Sequence, residues 1–383
     1  GAPFGNAVLQ ARKKTYESHG AVNTWGAYQC YGDPDWRLRS EQGMPAGRQE
    51  ESPFVTPGEL VLALDNLTNE AKNANSRRIE VLRAEVTKLA NTLTPDWLAR
   101  ADVRIALGQA YGELDLFAEA ITHYQHAVAS ESGEGSFHTI EQFANLQCRA
   151  AVAAFRDRTS NRKEAKRLIG QAIASLECLR ALSNAMRADA QAKKPVSASD
   201  TIERLALFGS AYKRLAFVTT GRERGRALQE MASYYDAAYT RAAEQGRVDT
   251  YPILNLIPAQ MLLRALFPRL VKGTNATSDL LQKVTDAIQE HPRAERDFWG
   301  VVTAADCLLT RHLVEGTLPD HIGPVVQEYL TAKRRAGSPR EFRSVVEHLD
   351  FLIEMWREDT KNRAGKKRLA ALQDIREKLT QID

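Results

Sequence analysis

From Leu60 to Leu379 the apolar residues of this chain recur at helical spacing almost without a break, and that limits what it can fold into. Leu60, Leu64, Leu67 and Ala71 begin the pattern, and Leu369, Leu372, Ile375 and Leu379 close it. A helix with one apolar stripe hides that stripe only against other helices, so the sequence predicts an all-α stack. Thr56-Pro57-Gly58-Glu59 marks where it starts. Thr56 can cap free backbone N–H groups, Pro57 suits the first helical position, and Glu59 completes a capping box.

Within this stretch the spacing repeats. Residues 102–130 carry Leu107-Gly108-Gln109-Ala110-Tyr111, then Ala120, Tyr124 and Ala127. This fits the tetratricopeptide pattern of Leu-Gly-x-x-Tyr followed by Ala-x-x-x-aromatic over about 34 residues. The small residues let two antiparallel helices approach, while Leu107, Tyr111 and Tyr124 fill the gaps. Arg104 stands where Trp is usual. A second copy reads Phe208-Gly209-Ser210-Ala211-Tyr212, then a loop containing Gly221 to Gly225, then Ala227 and Met231. Further helices are predicted over residues 140–155, 162–182, 253–266, 278–290, 298–313, 321–335 and 339–356, with a charged one last. Each hairpin hides its apolar face by stacking on its neighbours, which predicts a tetratricopeptide-like helical-hairpin solenoid over residues 57–383.

The first 39 residues differ. Residues 7–16 read as a short amphipathic helix and residues 23–34 as an aromatic-rich strand. One helix and one strand make no core, so they are expected to complete a sheet as a short α/β remnant. Residues 40–56, rich in Gly, Pro, Ser, Glu and Gln, are expected to be a linker.

With 43% hydrophobic and 26% charged residues, there is apolar material for a large core rather than wholesale disorder, and a net charge of +4 is too small to argue for a nucleic-acid-binding protein. Cys30, Cys148, Cys178 and Cys307 lie far apart with no C-x-x-C pair, so buried reduced thiols are expected. No apolar run reaches the roughly 18 residues that span a bilayer, and the start has no signal-peptide pattern. A cytoplasmic location is the expectation.

Candidate chemistry is sparse. Cys30 with His19 could form a thiol–base pair, but Cys30 sits among Trp25, Tyr28 and Tyr31 and reads as a packing residue. His123 and His126 have a metal-compatible spacing but no third ligand nearby, so packing or exposed histidines are expected. Asp96, Asp102, Glu113 and Asp115 read as solvating residues and helix-dipole partners. Lys333-Arg334-Arg335 falls at a predicted helix C-terminus and Lys366-Lys367-Arg368 near a helix start, without interleaved aromatics. No catalytic site, metal or cofactor is expected in this chain.

Residues 23–38 resemble the closing segment of the CHAT domain, a caspase-like cysteine peptidase fold. Trp25, Ala27, Tyr28, Gly32, Asp33, Pro34, Arg37 and Leu38 carry the likeness, with Pro3-Phe4-Gly5, Ala7-Val8 and Ala11-Arg12 before it. That family's catalytic His and Cys lie ahead of this segment. The resemblance thus implies a parent cysteine peptidase of which this chain is the C-terminal regulatory part. The helical remainder is similar to tetratricopeptide regions that accompany CHAT domains in bacterial proteins. Its later half also resembles the TRAF-binding helical region of apoptosis-signal-regulating kinases, on Tyr235, Ala238, Asp249-Thr250-Tyr251-Pro252, Asn255, Asp297-Phe298-Trp299 and Thr303.

The expected function is binding or regulation of another protein or peptide, the chain's own protease domain being one such partner, with no membrane and no nucleic acid. In a solenoid of this kind the first helix of each hairpin lines the concave face. The expected partner residues are therefore Asp102, Gln109 and Glu113 in the first clear repeat and Glu203, Ser210, Lys213 and Arg214 in the second.

Overall fold

A computed structural model describes residues 3–19, 34, 54–129, 137–190, 200–271, 277–290, 297–335, 339–359 and 363–381. The chain divides into two compact units, Gly1–Pro53 and Phe54–Asp383. In the first, helix α1 (Phe4–His19) is described, and the Gly5 N–H donates to the Pro34 carbonyl at 2.8 Å. The expected strand, apart from Pro34, lies outside the described residues, as do Cys30 and residues 40–53 of the expected linker.

The second unit is helical, with no strand among its described residues. Its helices are α2 (Pro57–Ala71), α3 (Ser76–Thr92), the single turn α4 (Pro95–Leu98), α5 (Ala101–Glu113), α6 (Phe117–Ala129), α7 (Phe137–Arg156) and α8 (Arg162–Ala190). There follow α9 (Ile202–Val218), α10 (Gly221–Glu244), α11 (Thr250–Leu266), α12 (Thr277–Gln289), α13 (Phe298–Glu315), α14 (Ile322–Lys333), α15 (Pro339–Trp356) and α16 (Arg363–Thr380).

Local chemistry sets the boundaries. The capping box at α2 forms as expected: Thr56 Oγ1 accepts from Glu59 N, and Glu59 Oε2 accepts from the backbone N–H of Thr56. Thr201, Asp249 and Asp297 cap α9, α11 and α13 with their side chains. Gly316 ends α13 at φ 72°, a left-handed value that glycine adopts without penalty.

Successive helices pair as hairpins: α5 with α6, α7 with α8, α9 with α10, α11 with α12, α13 with α14 and α15 with α16. Each pair packs on the next, giving the stacked helical repeat that the periodicity predicts. The two clearest repeats share one device. A Cβ on Gly108 would lie 2.9 Å from the Tyr124 ring, and one on Gly209 would lie 2.9 Å from the Tyr235 ring. In both hairpins the glycine of the first helix makes room for a tyrosine of the second. Tyr124 and Tyr235 are 4% and 0% exposed, so the ring is the core of the hairpin.

Three features depart from the sequence reading. Residues 221–225 form the first turns of α10, not a loop. They are helical because Arg224, 1% exposed, turns inward. Its Nε donates to the carbonyls of Ala216 (3.1 Å) and Thr219 (2.8 Å), and its guanidinium pairs with Glu354 (3.0 Å) and Glu358 (2.7 Å) near the end of α15. Asp115, in the α5–α6 turn at φ 59°, is not a solvating residue: Arg149 of α7 and Arg343 of α15 pair with it. Finally, Cys178 is exposed, while Cys148 and Cys307 are buried as expected.

Candidate functional site

The first helices α2, α5, α7 and α9 present one face to a chain of adjoining cavities inside the second unit. One, of about 400 Å³, lies over Asn69, Gln109, Glu113, Gln142 and Asn145. The next, of about 710 Å³, shares Glu113, Asn145 and Arg149 with it and adds Glu203, Ser210 and Arg214. A third, of about 540 Å³, shares Ser210, Arg214, Tyr251 and Trp299 with the second and runs under α11, α13 and α15. Shared walls make these one continuous groove.

Helix α15 crosses this groove. Arg340 pairs with Glu113 and Arg343 with Asp115, tying the start of α15 to the first clear repeat. Further along, Asp350 takes Arg156 of α7 at 3.4 Å and Arg376 of α16 at 2.6 Å. The C-terminal helices therefore fold back onto the inner face of the earlier repeats.

Of the expected partner residues, Gln109, Glu113, Glu203, Ser210, Lys213 and Arg214 all face the groove. Asp102 does not line it: Arg100 pairs with its carboxylate at 2.8 Å, and that hydrogen bond lowers the Asp102 pKa. Glu113 is committed to Arg340.

Lys213 is not a solvated groove residue. Its ammonium donates to Asn255 Oδ1 at 2.8 Å, lies 2.8 Å from His348 Nδ1, and sits 5.1 Å from the centre of the Phe351 ring. Burial pulls its pKa down to about 7, with Asp306 opposing the shift. Asp306 is itself pushed up to about 6 by burial, against the hydrogen bond that its Oδ1 accepts from Tyr329 at 2.5 Å and the Lys213 charge. Burial and Lys213 keep His348 neutral by holding its pKa well below the usual histidine value. Perturbed groups collected beside a cavity mark a candidate site, although buried structural networks shift pKa values in the same way.

His348, Asp306 and Glu347 were invisible in the sequence because they come from α13 and α15, far from Lys213 along the chain. There was one signal. Tyr251, Asn255, Trp299 and Thr303, which carry the kinase-region resemblance, all line the third cavity.

The two histidines at metal-compatible spacing are, as expected, one packing and one exposed residue: His126 is exposed and His123 packs inward. His123 stacks on Tyr111 at 5.4 Å between centres and meets Arg104 at 3.1 Å, and burial holds its pKa near about 4. No group of three or more His, Cys, Asp or Glu residues is placed for metal binding among the described residues. Nor is any described helix long and apolar enough to cross a membrane.

A family model described as Tetratricopeptide Repeats-Sensor matches residues 136–263. The matched region runs from α7 into the last turn of α11 and contains the second clear copy, with Gly209 and Tyr235. Residues 102–130, where the repeat pattern is clearest, lie outside the match. The match supports a tetratricopeptide region over about a third of the chain, and the third cavity opens against its α7, α9 and α11. No curated protein matches the sequence.

Proposed function

We propose that this chain is a regulatory protein-binding module that holds a segment of its partner in the groove along α5, α7 and α9. One observation carries the reading: the inward faces of successive first helices form one continuous groove, the arrangement in which helical repeats take ligands. Tetratricopeptide repeats generally bind other proteins, which agrees with it.

The finer part of the proposal is that the module serves a caspase-like CHAT peptidase. Its support is the resemblance of residues 23–38 to the closing segment of that domain and of the helical region to the repeats that accompany it. In that arrangement the groove binds a signal-bearing segment and α15, which already lies across it, transmits the change. No residue of this chain takes a catalytic role.

The test is site-specific photo-crosslinking in the cell of origin. A benzoylphenylalanine at Asn145 or Glu203 in the groove should capture a discrete partner. The same group at Gln125 of α6 or Glu177 of α8, both exposed outside the groove, should not. Capture from the outer positions alone would move the binding surface to the other face. A captured peptidase would support the finer reading, and an unrelated partner would remove it.

A further inference from the structure

Most charges near the groove are paired off. Arg340 takes Glu113, Arg343 takes Asp115, and Asp350 takes Arg156 and Arg376. Two opposite charges on facing helices are not. Arg214 of α9 donates only to Ser210, its own neighbour one turn back. Glu347 of α15 has no ion-pair partner among the described residues, although Lys213 and Arg149 act on it through space. Both line the third cavity, and they do not pair with each other. Such half-buried charges, at the wall of a largely apolar cavity, are available to a ligand.

The rest of the lining states the shape of that ligand. Phe217, Tyr251, Trp299 and Phe351 surround the space with flat apolar surface. Tyr251 and Trp299 remain 51% and 50% exposed, unusual for large aromatics whose neighbours are core. The volume of about 540 Å³ lies within the roughly 300–1,000 Å³ of small-molecule sites. A ligand that fills it should carry a flat apolar body, one anionic group for Arg214 and one cationic group for Glu347.

We propose that the third cavity binds a free aromatic amino acid, with its carboxylate on Arg214, its ammonium on Glu347 and its ring against Trp299 and Tyr251. Lys213 does not serve as the anion site, because Asn255 and His348 already hold it. The ligand is a small molecule, distinct from the protein segment in the polar part of the groove, so this site can be tested without that partner.

The experiment is calorimetric titration of the full chain with L-tryptophan, L-tyrosine and L-phenylalanine. Indole-3-propionate, which lacks the ammonium, and tryptamine, which lacks the carboxylate, serve as matched probes. At least one of the amino acids should bind one to one. If it is tryptophan, each matched probe should bind at least about ten-fold more weakly. For tyrosine or phenylalanine the corresponding deaminated and decarboxylated analogues replace them. Arg214→Gln should weaken the amino acid and the acid probe but leave the amine probe unchanged. Glu347→Gln should weaken the amino acid and the amine probe but leave the acid probe unchanged. This crossed pattern cannot come from misfolding, which would weaken all probes together. No binding of any of the three amino acids at about 1 mM would overturn the proposal. So would an acid probe as tight as its amino acid, or variants that leave amino-acid binding unchanged.

Discussion

Replacing Arg224 with methionine keeps an unbranched side chain at a position that is 1% exposed but removes the charge. Two backbone carbonyls, those of Ala216 and Thr219, lose their donor, and two carboxylates lose a partner. The carboxylates are 26% and 35% exposed and can turn to water. The carbonyl end cannot, because the surroundings of Arg224 are closed. An unmade buried hydrogen bond costs about 1–3 kcal/mol, so the variant should lose about 3 kcal/mol in all. Arg78 makes as many bonds, to Glu70 and Glu85, but with both partners on the surface. Arg78→Met should therefore cause no resolvable change. The assay is urea unfolding followed by circular dichroism, comparing midpoints at unchanged slope. Equal effects of the two substitutions would refute the reasoning that burial, not bond count, decides the cost.

Other outcomes follow from the same structure. Gly209→Ala should destabilise by about 1–3 kcal/mol by forcing the Tyr235 ring aside, whereas Gly170→Ala, with open space at its Cβ, should be stabilising by up to about 1 kcal/mol; thermal unfolding reads both. With Lys213 lowered to about 7 from 10.5, the folded chain releases this proton between those values while the unfolded chain keeps it. This term therefore makes stability rise with pH across that window, and Lys213→Met should flatten the rise in unfolding midpoints measured from pH 7 to 10; Asp306, His348, Arg214 and Glu347 are the charged and titratable groups around it. Iodoacetamide followed by mass spectrometry should label Cys178 in the folded chain, while Cys148, whose thiol burial pushes up to about 12, and Cys307 should react only on unfolding.

Whatever depends on a few neighbouring residues could be read before the structure. The Thr56–Glu59 capping box is local chemistry and forms as written. The helix over residues 339–356 was placed at its observed ends because its apolar stripe is unbroken. Gly108 and Tyr124 were legible as a pair because the repeat pattern names both positions. Tyr235 was not assigned to the second hairpin, because the longer α10 moves the ring further along than the pattern allows. Residues 221–225 read as a loop because two glycines and three charges look polar. The burial of Arg224 depends on Glu354 and Glu358, more than a hundred residues away, and no local pattern contains them. Lys213 fails for the same reason. It reads as an exposed cation of a first helix, yet Asn255 and His348 enclose it. Reversing its charge would set a carboxylate near Asp306 and would test folding before binding.

The central claim is that the groove along α5, α7 and α9 is the working surface. The direct measurement is the affinity of the crosslinked partner, titrated against chains that carry one bulky residue in or out of the groove. Asn145→Trp fills the wall shared by the first two cavities, and Gln125→Trp adds the same bulk on the exposed face of α6. The groove variant should weaken binding by about ten-fold or more, with the outer variant unchanged and both chains folded by circular dichroism. Unchanged affinity in the folded Asn145→Trp chain would contradict the account.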